Sequence, residues 1–128
     1  MGVYDQSLIE PIANVLKSLG SRHVMVVHSA DGLDELSIAD KTFIAELKDG
    51  IVTTYSIHPE ELGLGLGNLN DIKADDAEDS LALIKEAFSG KTGAAKDIVS
   101  LNAGAAIYVS GLTAVSYTHL TLPTIYSV

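Results

Sequence analysis

The chain has no cysteine and no tryptophan among its 128 residues. Disulfides, thiolate metal sites and cysteine nucleophiles are therefore excluded. Aromatic residues make up only 5%, so nothing suggests a stacking platform for single-stranded nucleic acid. Basic residues are also scarce, 8 against 17 acidic, and the net charge is −9. Such a surface repels phosphate backbones, so no nucleic-acid partner is expected. The acids are spread along the chain and read mainly as solvated helix faces. No apolar run approaches the ~20 residues of a membrane span. The opening Met1-Gly2-Val3-Tyr4-Asp5 lacks the basic and apolar regions of a signal peptide. These absences predict a cytoplasmic protein with no membrane partner. What is present is a hydrophobic fraction of 47%, which argues against disorder and suits one domain with an aliphatic core.

The hydrophobic pattern predicts an α/β arrangement with flanking helices and a β-hairpin. Leu8, Ile12, Val15 and Leu19 lie on one face of a helix, capped by Asp5 or Ser7 and ended by Gly20. Pro11 fits only if that helix begins near Ser7. The continuous run His23 to His28 reads as a strand buried on both faces, as in a parallel strand covered by helices. Ser29 to Asp40 is a loop with Asp31 and Gly32 as turn residues. Thr42 to Leu47 and Ile51 to Ile57 flank Lys48-Asp49-Gly50, a hairpin signal. Pro59 begins a single helical turn, and Gly63, Gly65 and Gly67 form an irregular connection. A second helix, capped by Asp75 or Asp76, presents Ala77, Leu81, Ile84 and Phe88. A third, from about Ala94 to Val109, carries the stripe Ala94, Ile98, Leu101, Ala105, Tyr108 and Leu112.

The acidic turn Asp31-Gly32-Leu33-Asp34-Glu35 is the sharpest chemical feature. In open α/β sheets, ligands bind at the carboxyl ends of strands, where this turn falls. Mg²⁺ takes one or two protein carboxylates and completes its octahedron with water and phosphate oxygens. Adjacent acids such as Asp34 and Glu35 suit that role, although spacing alone fits an ordinary solvated acidic turn better. The glycine-rich run lacks the preceding strand, following helix and lysine of a phosphate loop. His28 is a candidate base or ligand, with a structural hydrogen bond as the plainer reading. Ser29 and Ser37 have no base beside them, so no nucleophilic triad is supported. Asp75, Asp76, Glu78 and Asp79 read as helix-capping charge.

Several segments in order resemble a known family. They are Gly2-Val3-Tyr4, Val15 to Gly20, Val26-Val27-His28-Ser29, Asp31 to Ser37, Ala45 to Gly50, Pro59 to Leu64 and Leu101 to Val109. Together, over residues 1 to about 112, they are similar to the C-terminal part of anthranilate phosphoribosyltransferase from tryptophan biosynthesis. That resemblance implies part of a mixed-sheet α/β domain of the nucleoside phosphorylase/phosphoribosyltransferase type. It implies a pentosyltransferase joining the amino group of anthranilate to C1 of phosphoribosyl pyrophosphate, with release of pyrophosphate. It also implies Mg²⁺ held by Asp34 and Glu35 and a homodimeric whole enzyme, while Asp31 reads as a turn former that orients the pair.

Two departures accompany the resemblance. The family's glycine-rich phosphate loop and its anthranilate-contacting residues have no counterpart here, and Arg22 is the only arginine. Met1 is therefore expected to be an internal position, and this chain alone to be inactive. Residues 113–128 contain no Asp, Glu, Lys or Arg, and Tyr117, His119 and Tyr126 follow no period. That stretch resembles translated adapter sequence and is expected to be a non-native tail. Two other readings remain open: a non-catalytic acidic interaction module on the same fold, and a pyrimidine nucleoside phosphorylase fragment.

Overall fold

The computed structural model describes residues 1–112. The expectations for the tail, residues 113–128, lie outside the described residues. Asp5 starts the first helical segment by accepting hydrogen bonds from the Ser7 N–H (2.8 Å) and hydroxyl (2.6 Å). A 3-10 turn over Gln6–Leu8 leads into α1, Ile9–Ser18, with Pro11 in its first turn. Gly20, at φ 90°, closes the helix where a β-carbon would be strained.

Three strands follow: β1 (His23–Ser29), β2 (Thr42–Lys48) and β3 (Ile51–Ile57). They form an antiparallel sheet in the order β1-β2-β3. The β2–β3 turn has positive φ at Asp49 (51°) and Gly50 (76°), matching the twist of the hairpin its sequence predicts. The expected parallel pairing of β1 is reduced to a bridge between Gly2 and Val27. There Val3 N–H donates to the Val27 carbonyl (3.0 Å) and Val27 N–H to the Met1 carbonyl (2.9 Å). The apolar run of β1 has the predicted two-sided burial but mainly an antiparallel partner. Burial on both faces fixes composition, not strand direction.

Helices cover both faces of the sheet. Under α1, Ile9 and Ala13 pack with Val3, Val26 and Ala45. On the other face, Met25, Val27, Ile44 and Ile57 pack with Leu36, Ile38 and three residues of α3 (Ala94–Val109), namely Ile98, Leu101 and Tyr108. The remaining helix, α2 (Ala77–Phe88), is capped by Asp76, whose carboxylate accepts from Asp79 N–H at 2.8 Å. It packs against α3. Between the hairpin and α2, Pro59–Leu62 and Leu69–Ile72 are 3-10 turns.

The predicted α2 stripe is rotated, and the α1 stripe holds only in its first half, where Leu8 and Ile12 pack against the core. In α1, Val15 and Leu19 are exposed and the buried residues are Ile9 and Ala13. Ala13 is 0% exposed, and its small side chain lets the helix lie close to the sheet. In α2, Leu81, Ile84 and Phe88 are exposed, and Ala87 is the buried residue. In both helices, neighbouring series at i, i+3, i+4 satisfy the same period, and contact with the sheet or α3 decides which turns inward. In α3 the stripe is right at Ile98, Leu101 and Tyr108, while Leu112 is exposed beyond the helix end.

Candidate functional site

The loop after β1 is fixed at its start by Asp31. Its carboxylate accepts hydrogen bonds from the hydroxyls of Ser29 and Ser37 and from Leu33 N–H (3.2 Å). Ser29 and Ser37 are buried. Ser37 Oγ also accepts from Ala39 N–H at 2.9 Å, and Ser37 N–H donates to Thr42 Oγ1 at 3.0 Å. Both serines thus serve the loop, and Asp31 is the turn former the sequence suggested. Leu36 and Ile38 anchor the loop's return in the core, each 1% exposed.

Between these anchors stand Asp34, exposed, and Glu35, half-buried. Both line a cleft of about 360 Å³ bordered by Gly2, Met25 and Leu36, and by Asn102 and Ala105 of α3. Glu35 also borders a second cleft with Ile72, Ser80 and Ile98. The backbone of Gly2 lies directly against the loop, since a Cβ there would fall 1.4 Å from the Asp34 carbonyl oxygen. Among the described residues, neither carboxylate accepts a hydrogen bond or pairs with a protein cation. Burial and then the charges of Asp34 and Asp31 push the Glu35 carboxyl above its ordinary pKa. The result is a pair of hard oxygen donors at a cleft mouth, crowded by like charge. That donor set fits Mg²⁺, which needs only one or two carboxylates from the protein. No group of three or more His, Asp or Glu side chains among the described residues could hold an ion unaided.

The other candidates are structural. His28 Nδ1 lies 2.8 Å from the Val3 carbonyl and so carries the proton it donates there. The glycine-rich run packs back on the loop: Gly67 N–H donates to the Ile38 carbonyl at 2.8 Å, and a Cβ on Gly67 would meet Ile38 at 2.6 Å. Asp76 caps α2 by accepting from Asp79 N–H, and the Asp79 carboxylate accepts in turn from Asp75 N–H at 3.3 Å.

Two features escaped sequence reasoning. One is Asn102 of α3. Its Oδ1 accepts from Leu36 N–H (2.9 Å), while its Nδ2 donates to the Leu36 carbonyl and to the Ile98 carbonyl, both at 3.0 Å. The other is Glu46 on β2, buried at 7% exposure. It accepts from His23 Nε2 (2.6 Å), Tyr108 OH (2.7 Å) and Tyr55 OH (2.8 Å). Burial alone would raise its pKa, but the hydrogen bonds of His23, Tyr108 and Tyr55, with the charge of His23, outweigh that and lower it. An acid inside a strand as apolar as Thr42–Lys48 was the available signal, because a buried charge requires partners.

Comparison with known proteins supplies the class. Residues 1–118 match the model of the glycosyl transferase family, a/b domain, and the chain belongs to that family. Its curated relatives are more particular. It is 68% identical over 112 residues to an anthranilate phosphoribosyltransferase of Ruthia magnifica and 63% identical to that of Vesicomyosocius okutanii. Each alignment covers 88% of this chain and 33% of the relative, so the chain spans about a third of the length of the curated relatives it matches. Among solved structures, anthranilate phosphoribosyltransferase from Thermus thermophilus superposes with a TM-score of 0.80 at 32% identity, over 93% of this chain and 35% of that one. The Saccharomyces cerevisiae enzyme in complex with PRPP and Mg shares the fold, with a TM-score of 0.77 at 20% identity, over 94% of this chain and 35% of its own.

Proposed function

We propose that this chain is the metal-holding part of an anthranilate phosphoribosyltransferase. In the whole enzyme, the amino group of anthranilate replaces pyrophosphate at C1 of phosphoribosyl pyrophosphate, a step of tryptophan biosynthesis. Asp34 and Glu35 are the protein ligands to Mg²⁺. When bound, the ion would supply positive charge against the negative charge that builds on the departing pyrophosphate. The chain's own residues bind and orient: Asp31 and Ser37 shape the loop, Leu36 and Ile38 tether it, and the two carboxylates face the cleft.

The observation that carries this reading is the uncompensated carboxylate pair at the cleft mouth. It is supported by the names of the relatives and by the Mg and PRPP of the yeast complex. The same reading makes the whole enzyme a cytoplasmic homodimer and this chain alone inactive.

Thermal melting with Mg²⁺ and pyrophosphate tests the metal role. At about five times the dissociation constant, binding stabilises the fold by about 1 kcal/mol. The double substitution Asp34→Asn, Glu35→Asn abolishes the shift. A shift that survives the double substitution overturns the assignment. Incubation of the chain with Mg²⁺, anthranilate and phosphoribosyl pyrophosphate yields no phosphoribosyl-anthranilate, and product formation would refute the claim of inactivity.

A further inference from the structure

Asp31 organises the loop that carries the Asp34–Glu35 pair, and a single polar side chain holds the residue that follows the pair. Toward the chain start, Asp31 binds two hydroxyls and one amide. Toward the chain end, the residue directly after Glu35 is gripped by Asn102 alone among side chains of the described residues. Both backbone groups of Leu36 are engaged, the N–H by Oδ1 at 2.9 Å and the carbonyl by Nδ2 at 3.0 Å. Only one orientation of the amide satisfies both. The bond from Nδ2 to the Ile98 carbonyl, also 3.0 Å, ties the same group to its own helix one turn back and leaves the side chain little rotamer freedom. Asn102 and both acids line one cleft, but the amide touches neither carboxylate.

We propose that Asn102 is a positioning residue for the Asp34–Glu35 metal pair, carrying the rigidity of α3 to the loop through Leu36. The proposal rests on the metal-binding reading above and adds a residue that acts without touching the ion. The chemistry requires an amide at this position. Aspartate could accept from Leu36 N–H but would face the Leu36 and Ile98 carbonyls with lone pairs. It would also add negative charge beside a pair already crowded by it. Alanine removes all three hydrogen bonds.

The test uses the full 128-residue chain labelled with ¹⁵N, and Mn²⁺ as the probe. Asn102→Ala lowers Mn²⁺ affinity about tenfold or more, the usual size for loss of a residue supporting a metal ligand. It speeds amide exchange at Leu36 and leaves the β2–β3 hairpin amides unchanged. Asn102→Asp preserves the volume and one of the three hydrogen bonds but sets lone pairs against two carbonyls, and it speeds Leu36 exchange at least as much as alanine does. Tyr108→Phe is the control, because it removes a different buried hydrogen bond of α3, the one to Glu46. It lowers melting temperature but alters neither Mn²⁺ affinity nor Leu36 exchange. Unchanged Leu36 exchange in both Asn102 variants overturns the proposal. So does an equal loss of Mn²⁺ affinity in Tyr108→Phe, which marks a general loss of stability. If wild type and Asp34→Asn, Glu35→Asn are alike toward Mn²⁺, the metal reading itself fails. The clamp is then judged by Leu36 exchange and by the backbone amide shifts of Glu35 and Leu36, which must move in Asn102→Ala.

Discussion

Glu46 and Glu35 border the same core in opposite surroundings. Glu46 is enclosed by His23, Tyr55 and Tyr108, and its charge is welcome. Glu35 has Asp34 and Asp31 for neighbours, and its charge is resisted. A carboxylate fully supplied by protein donors acts as a structural tie, here joining β1, β2, β3 and α3. A carboxylate left among other acids stays available to a partner that brings positive charge. Burial alone would not separate the two roles, since Glu46 is the more buried. The donor inventory does.

Removing each acid gives the largest contrast. Glu46→Ala leaves three partners without their acceptor and destabilises the fold by about 3 kcal/mol in urea unfolding. Glu35→Gln relieves repulsion and leaves stability unchanged or raises it by about 0.5 kcal/mol, a small value because the group is half exposed. Equal losses from the two substitutions would erase the distinction.

A smaller effect is expected with pH. The folded-state pKa of Glu46 is lowered, so its stabilising contribution is present above the ordinary glutamate range and is lost as pH falls through the folded value. The folded-state pKa of Glu35 is raised, so the folded state takes up that proton first. On acidification, stability rises slightly through the raised value. Melting temperature followed downward from neutral pH therefore flattens or rises before it falls. Glu35→Gln removes the early rise, and Glu46→Gln weakens the later fall. A monotonic fall in wild type that Glu35→Gln leaves unaltered contradicts this sign.

The smallest change lies away from both acids. Leu81 and Ile84 on α2 are each 50% exposed, so replacing both with serine alters stability by less than about 0.5 kcal/mol. Exposed apolar surface of this kind favours association, and the double variant elutes later than wild type in concentrated size-exclusion runs. Identical elution would show that this face does not drive association.

Much of this was legible along the chain. Asp49-Gly50 specified its turn locally, because positive φ at two successive residues suits few pairs. Asp5, Gly20 and Asp76 marked helix ends through bonds to residues nearby in sequence. The acid loop was legible as a turn after a buried strand, with Asp31 as its turn former. Helix rotation was not, because Leu8–Ile12–Val15–Leu19 and Ile9–Ala13 are both valid helical faces. The direction of the strand beside β1 was hidden for a related reason, since two-sided burial is blind to it.

The sequence by itself determined the helices, the hairpin and the place of Asp34 and Glu35 after a buried strand, because these depend on local propensity and short-range bonds. Only the tertiary structure decided that Glu46 is surrounded by donors while Glu35 is not, and that Asn102 grips the loop. Those contacts join residues 62 and 66 positions apart, and no local pattern reports which distant side chain will fill a given hydrogen bond.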